Sequence, residues 1–341
     1  MDFVFLDLLP GHSVLGTGPF TFLSERPDDG SVAFYMQDFA MGREDVWAIP
    51  AEWHRLDEPL REVGARIPSP SREAVWQDPD RGGFARVFGD ISGRIAEGEL
   101  RKVVPAVVER IALNGTSAGE TPSSFPKFET DRHGAVYRFG YRFGKKGAIG
   151  VTPEVLLSLD GSQLQTMALA GTASLAGATA FDADSKQIRE HQLVVDALVE
   201  SLRPHGSVHV GEREVVEFAK LLHFRTLISV DLNIGRADPA KLVEAIHPTP
   251  AVGVLPRTSR NLAVLDGYRR ELGVPDAFGA PLGVWCEGTF HAVATIRGFF
   301  FDGTRGCLPA GCGIIAESIE EKEWDELKLK RTWVKQRIGL A

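Results

Sequence analysis

Three charged residues near the C-terminus recur at a spacing that could do chemistry. Glu323, Glu326 and Lys330 stand at i, i+3 and i+7, which stacks side chains on one face of an α-helix. Just before them, Gly311 and Gly313 mark a turn whose backbone can approach a ligand closely and present N–H groups. Two carboxylates and an ammonium after such a turn could hold a divalent cation and an anionic substrate together. The alternative is a solvated helix face carrying a Glu326–Lys330 pair. Ser318, with Glu321 three residues on, reads as a capping box, and the helix is expected to run to about Arg337.

Further candidates are scattered upstream. Lys102 opens a β-branched run, Glu99–Arg110, and by position alone reads as a solvated end charge. Glu154 follows Pro153 and precedes an apolar strand. It is a strand-end carboxylate or, if buried, a proton donor with a raised pKa. Glu190 lies beside the apolar stripe Ile188, His191, Val195, Leu198 and Leu202 of a helix opening at Ser185. On that stripe His191 reads as a core histidine, and His223, in another strand-like run, is open to the same reading. Arg297 interrupts an apolar strand expected over 289–301. A buried guanidinium needs an anion.

The elements that must position these groups alternate between strand and helix patterns. Short runs at 2–6, 19–23, 32–39 and 46–49 read as a strand meander serving as scaffold. Residues 53–80 read as an exposed connection, and 111–133 as a loop. Phe84, Val87, Phe88, Ile91 and Ile95 share one face of a helix over Asp80–Ala96, with Gly98 as its stop. A strand is expected over Ala135–Arg142. Met167–Thr172 ends a strand in a turn at Gly171 and Thr172. Asp238-Pro239 starts a short helix, and another is expected from about Thr258 to Leu272. Pro105 implies a strand edge or bulge.

Composition bounds the rest. The 341 residues carry 25% charged and 43% hydrophobic side chains and a formal net charge of −8, ordinary for a globular protein and unfavourable for nucleic-acid binding. Three cysteines without metal-ligand spacing suit a reducing compartment better than a disulfide framework. The N-terminus lacks a basic region before its apolar run, so no secretory signal is expected. No apolar stretch is long enough to suggest a transmembrane helix. A cytoplasmic location is the expectation, with no membrane and no nucleic acid as partner.

Taken together, the motifs resemble those of the chorismate-utilising enzymes: isochorismate, salicylate, anthranilate and aminodeoxychorismate synthases. The C-terminal stretch Ala310–Lys330 resembles their signature A-G-x-G-I-V-x-x-S-x-P-x-x-E-W-x-E-T-x-x-K, with Glu320 for Pro and Leu327 for Thr. Leu100-Arg-Lys-Val-Val104, Thr152-Pro-Glu-Val-Leu-Leu157, Ala168-Leu-Ala-Gly-Thr172, Ser185-Lys-Gln…Glu190-His191, Leu221-Leu-His-Phe224, His247-Pro-Thr-Pro-Ala-Val-Gly253 and Ala294-Thr-Ile-Arg297 follow in family order. The Ala-Leu-Ala-Gly-Thr and His-Pro-Thr-Pro-Ala versions, with Phe278, lean toward isochorismate synthases. Departures are Pro105, Ala173, Gln187 and Val254, each replacing a residue more usual in the family.

The resemblance implies an α+β fold of two packed, mostly antiparallel sheets with helices outside. It implies one domain over 1–341, with a strand meander at 1–79 and a motif-bearing core at 80–341. It implies chorismate as small-molecule substrate, Mg²⁺ as cofactor, a monomer, and no obligate glutaminase subunit. Lys102 would be the base that activates water and Glu154 the general acid. Glu190, Glu326 and Glu323 would hold the metal. Gly171, Thr172, His223, Arg297, Gly311, Gly313 and Lys330 would contact substrate. A salicylate synthase, which eliminates pyruvate from the same intermediate, and a non-catalytic chorismate-binding relative are the alternatives.

Overall fold

Alternation along one short strand shows how the chain builds two cores. Phe34 and Met36 enter one apolar cluster, while Ala33 and Tyr35 enter another, because successive strand side chains point to opposite faces. The protein is described by a computed structural model that covers residues 1–27, 30–57, 75–113, 136–175, 178–218, 221–233 and 237–337. Its strands are β1 (Phe3–Leu9), β2 (His12–Leu23), β3 (Ala33–Met36), β4 (Trp47–Leu56), β5 (Lys102–Val103), β6 (Ala106–Ala112), β7 (Tyr137–Phe143), β8 (Lys146–Thr152) and β9 (Val155–Asp160). There follow β10 (Gln163–Ser174), β11 (Gly206–Phe218), β12 (Leu221–Leu232), β13 (Val254–Leu255), β14 (Pro281–Cys286), β15 (Thr289–Ala294), β16 (Gly298–Asp302) and β17 (Arg305–Gly311). The longer helices are α1 (Arg81–Ala96), α2 (Ser185–Leu202), α3 (Pro239–Ile246), α4 (Ser259–Glu271) and α5 (Glu320–Arg337).

Fifteen strands hydrogen-bond in one order, β11-β12-β10-β9-β15-β14-β3-β4-β2-β1-β7-β8-β16-β17-β6, and β13 pairs with β5 separately. The ladders are antiparallel. The expected pair of packed layers is thus one ladder folded back on itself. Its main core joins Phe34, Leu282 and Val284 from the middle of the order to Phe139, Phe300 and Ala310 from the far half. Helices lie outside, giving an α+β fold. Val194, Leu198 and Leu202 of α2 and Leu242, Val243 and Ile246 of α3 pack on Leu157, Leu159, Ile228 and Val230. Each such buried side chain contributes roughly 1.5–3 kcal/mol, so packing fixes the rotation of α2 and with it the direction of Glu190.

Several boundaries differ from expectation for local reasons. The N-terminal strands β1–β4 lie next to one another inside the ladder, between β14 and β7. Within β2 the pairing slips between Thr17 and Phe20, where Pro19 has no N–H to donate. The strand expected over 289–301 is two strands, β15 and β16, broken at Thr295–Arg297 where Arg297 adopts φ 54°. Ser318 does not cap α5. Its hydroxyl instead accepts from Ile315 N–H and donates to the Gly313 carbonyl, while Glu321 pairs with Arg81. Most of the expected connection at 53–80 and loop at 111–133 lies outside the described residues. The parts that are described show 53–56 in β4 and 111–112 in β6. No helix among the described residues is long and apolar enough to cross a membrane.

Candidate active site

Lys102 owes its position to backbone hydrogen bonds on both sides. Helix α1, capped by the Asp80 side chain, stops at Gly98, whose φ of 78° suits glycine. The chain then enters β5. Arg101 N–H donates to Leu255 O at 2.8 Å, and Val103 and Ile314 exchange bonds of 3.1 and 2.8 Å. Pro105 marks the break where the chain leaves the small sheet for β6 in the large one. Lys102 is 1% exposed, and its Nζ lies 2.9 Å from Glu190 Oε1.

A lysine–carboxylate chain extends from that contact. The Lys186 ammonium bridges Glu190 Oε2 and Glu323 Oε1, both at 3.0 Å. On α5, Lys330 Nζ sits 2.6 Å from Glu326 Oε1 and donates to the Gly311 carbonyl at 2.8 Å. The Glu326–Lys330 pair therefore forms, but inside the protein and not on a solvated face. Burial would raise Glu190, yet Lys102 and Lys186 outweigh it and hold its carboxyl below the ordinary range. Gly313 is required by the same crowding. A Cβ there would stand 2.0 Å from Glu190 Oε1 and 2.9 Å from Lys102 Cε.

Glu154 ends its turn between β8 and β9 fully enclosed. Burial pushes its carboxyl up to about 7, against the opposing pull of the Thr249 hydroxyl, Lys102, Lys330 and Arg297. Thr249 donates to Glu154 Oε1 at 2.9 Å. His223 is buried, and its Nδ1 lies 2.8 Å from the Gly171 carbonyl. A carbonyl only accepts, so Nδ1 carries the proton and Nε2 is a bare acceptor. Nε2 has no partner among the described residues. Burial first, then Arg297 and Lys330, lowers His223 to about 3, so the ring is neutral. His191, by contrast, bonds Thr226 and is a core residue, as its stripe position implies.

Arg297 is the unmatched charge. It is 8% exposed, and among the described residues its guanidinium makes no hydrogen bond or ion pair. Burial lowers it to about 10, so it remains a cation at neutral pH. Its left-handed backbone costs a non-glycine residue about 1–2 kcal/mol. The carboxylates of Glu326 and Glu154 act on it only through space, so its hydrogen-bonding fork is free to bind an anion.

Lys102, Glu154, Gly171, Thr172, Glu190, His223, Arg297, Gly311, Gly313, Glu326 and Lys330 all line one cavity. Of the residues singled out from the sequence, only Glu323 is absent from that lining. It borders an adjoining cleft with Lys186 and Glu326. The expected turn at Gly171 and Thr172 is instead a bulge within β10, between Ala170 and Ala173; Thr172 N–H is taken by Gln187 Oε1 at 2.9 Å and its hydroxyl lies 3.4 Å from His223 Nδ1. The sequence reading does not single out Lys186 or Thr249, although both stand inside the motifs it uses. Lys186 and Glu190 are legible as an i, i+4 pair on one helix. Thr249 carries no comparable signal.

Glu190, Glu323 and Glu326 form a largely buried carboxylate cluster. They stand close enough that burial, then Glu326 and Glu190, push Glu323 above its ordinary range despite Lys186. Glu323 Oε2 is buried without a hydrogen-bond partner. Carboxylate oxygens with such spare capacity are what Mg²⁺ prefers. No ready-made group of three ligands exists among the described residues, and the Lys186 ammonium lies between two of the three carboxylates.

The model of a family described as "Chorismate binding enzyme" matches residues 34–339. The chain belongs to that family. It is 28% identical over 319 residues to the salicylate biosynthesis isochorismate synthase of Pseudomonas aeruginosa, covering 89% of this chain and 65% of that protein. It is 32% identical over 245 residues to the isochorismate synthase MenF of Haemophilus influenzae, covering 69% of this chain and 56% of that one. The chain thus spans less than two thirds of the length of these relatives. Escherichia coli MenF, a menaquinone-specific isochorismate synthase, shares the fold with a TM-score of 0.80 at 20% identity, over 99% of this chain and 89% of that one.

Proposed function

We propose that the chain is an isochorismate synthase, converting chorismate to isochorismate with Mg²⁺. The observation that carries this reading is the lining of one cavity by a lysine, a protonatable glutamate and an unpaired arginine from three distant segments. Chorismate presents two carboxylates. Arg297, which lines the cavity with Gly311 and Gly313, takes one of them bidentately. The other lies toward Glu190, Glu323 and Glu326, which would hold the ion. When bound, Mg²⁺ supplies Lewis-acid polarisation of a substrate carboxylate.

The remaining steps belong to side chains. Lys102, in its neutral amine form, takes a proton from a water as the water oxygen bonds to ring carbon C2. The ring double bonds shift, and the C4–O bond breaks. Glu154, protonated below about pH 7, gives its proton to the departing hydroxyl. One water enters and one leaves, so product and substrate have the same mass. His223 Nε2 is the neutral acceptor in the wall.

The test is purified protein incubated with chorismate and Mg²⁺, its products separated and weighed. A new species of chorismate's own mass, lost in Lys102→Ala and Glu154→Gln, supports the reading. Salicylate with pyruvate would replace it with the salicylate synthase.

A further inference from the structure

Each carboxylate of the cluster is held by a lysine, but the lysines are not equivalent. Lys330 is anchored to the Gly311 carbonyl, and Lys102 sits on a strand bonded on both sides. Lys186 stands in the first turn of α2, with its side chain 16% exposed, and touches two carboxylates at once. It lines a second cleft, adjoining the main cavity, with Asp184, Gln187, Glu317 and Lys322. Glu326 and Thr172 border both spaces, whereas Lys186 and Glu323 face only the second.

We propose that Lys186 is a tethered counter-ion. It clamps Glu190 to Glu323 in the cation-free protein and swings into the second cleft when a divalent cation takes their oxygens. The inference rests on the metal reading above and assigns this chain's own residue a place in it. Without Lys186, Glu190 and Glu323 would face each other buried and repelling. With it, Glu323 Oε2 is left unpartnered, an acceptor that the ammonium does not use. Lys186 has a long flexible stem and a cleft to enter, so its release is the least disruptive way to free both carboxylates. Gln187, neutral and bonded to the Thr172 amide, adds no charge to the cluster, so the ammonium competes effectively. The site then binds its cation more weakly than the bare carboxylates would, by the inverse of the fraction of molecules in which Lys186 is released.

Metal-stripped full-length protein, without substrate, tests this. Mg²⁺ affinity is measured by calorimetry, and Mn²⁺ affinity by its electron paramagnetic resonance signal, in the native chain and in Lys186→Gln. In parallel, lysine acylation is mapped by mass spectrometry on the native chain with and without Mg²⁺, using exposed Lys328 as reference. The expected results are about tenfold tighter binding in K186Q and a several-fold rise in Lys186 labelling on adding Mg²⁺, with Lys328 unchanged. Ion binding by the native chain with Lys186 labelling unchanged overturns the tether and leaves the metal reading standing. No ion binding by the native chain overturns both. If K186Q does not fold, the labelling decides alone.

Discussion

The Thr249 hydroxyl donates to Glu154 Oε1 at 2.9 Å, across 95 residues of chain. The donor comes from the loop after α3, the acceptor from the turn before β9. A hydroxyl aimed at a carboxyl favours its ionised form, opposing the burial that raises it. Thr249 therefore both orients Glu154 and limits how high it titrates.

Thr249→Val keeps the volume and removes the donor. The alkaline limb of the rate profile is expected to move to higher pH, because an ionised Glu154 loses a partner. Turnover at low pH should fall on the order of tenfold as the carboxyl loses its fixed orientation. A pH series of kcat on variant and native chains separates the two effects.

Glu154 also fixes the sign of the native pH dependence. Its carboxyl is raised to about 7, so it carries the proton it must donate below pH 7 and has lost it above. Activity is expected to decline as pH rises through about 7. Stability follows the same direction. The folded chain keeps a proton that the unfolded chain releases near the ordinary carboxylate value, so this contribution is full below that value and lost as pH rises through 7. Steady-state rates and urea melts across pH 5–9 check both.

Arg297→Lys keeps the charge and gives up the planar fork. KM for chorismate is expected to rise about 10–100-fold, with a smaller loss in kcat. Equal losses in Arg297→Lys and Arg297→Ala would mean that the fork matters and charge alone does not. An unchanged KM in both would remove Arg297 from the substrate site.

Gly313→Ala places a methyl group 2.0 Å from Glu190 Oε1 and 2.9 Å from Lys102 Cε. Both side chains are buried and must shift. A displacement of about 1 Å in such a site costs on the order of 100-fold in rate. The variant should retain its circular dichroism and lose activity by that factor.

The helices were legible in the sequence because their signals are local. Phe84, Val87 and Ile91 are buried as the periodicity of α1 requires, and Asp238 and Pro239 start α3. The break at Arg297 was hidden because an apolar run looks continuous whether or not one residue turns left-handed. Ser318 misled because a serine three residues before a glutamate fits a cap and a turn equally well. Of the site, the residues resting on several motifs at once came together in the cavity. Thr249 and the double contact of Lys186 did not show, since each depends on segments brought together only by the folded ladder.

Purified protein with chorismate and Mg²⁺, with products resolved by mass, tests the central claim most directly. The account predicts a new species of chorismate's own mass, abolished in Lys102→Ala and in Glu154→Gln. Mg²⁺-dependent binding of chorismate without any conversion would contradict it and leave a binding protein in the enzyme's fold.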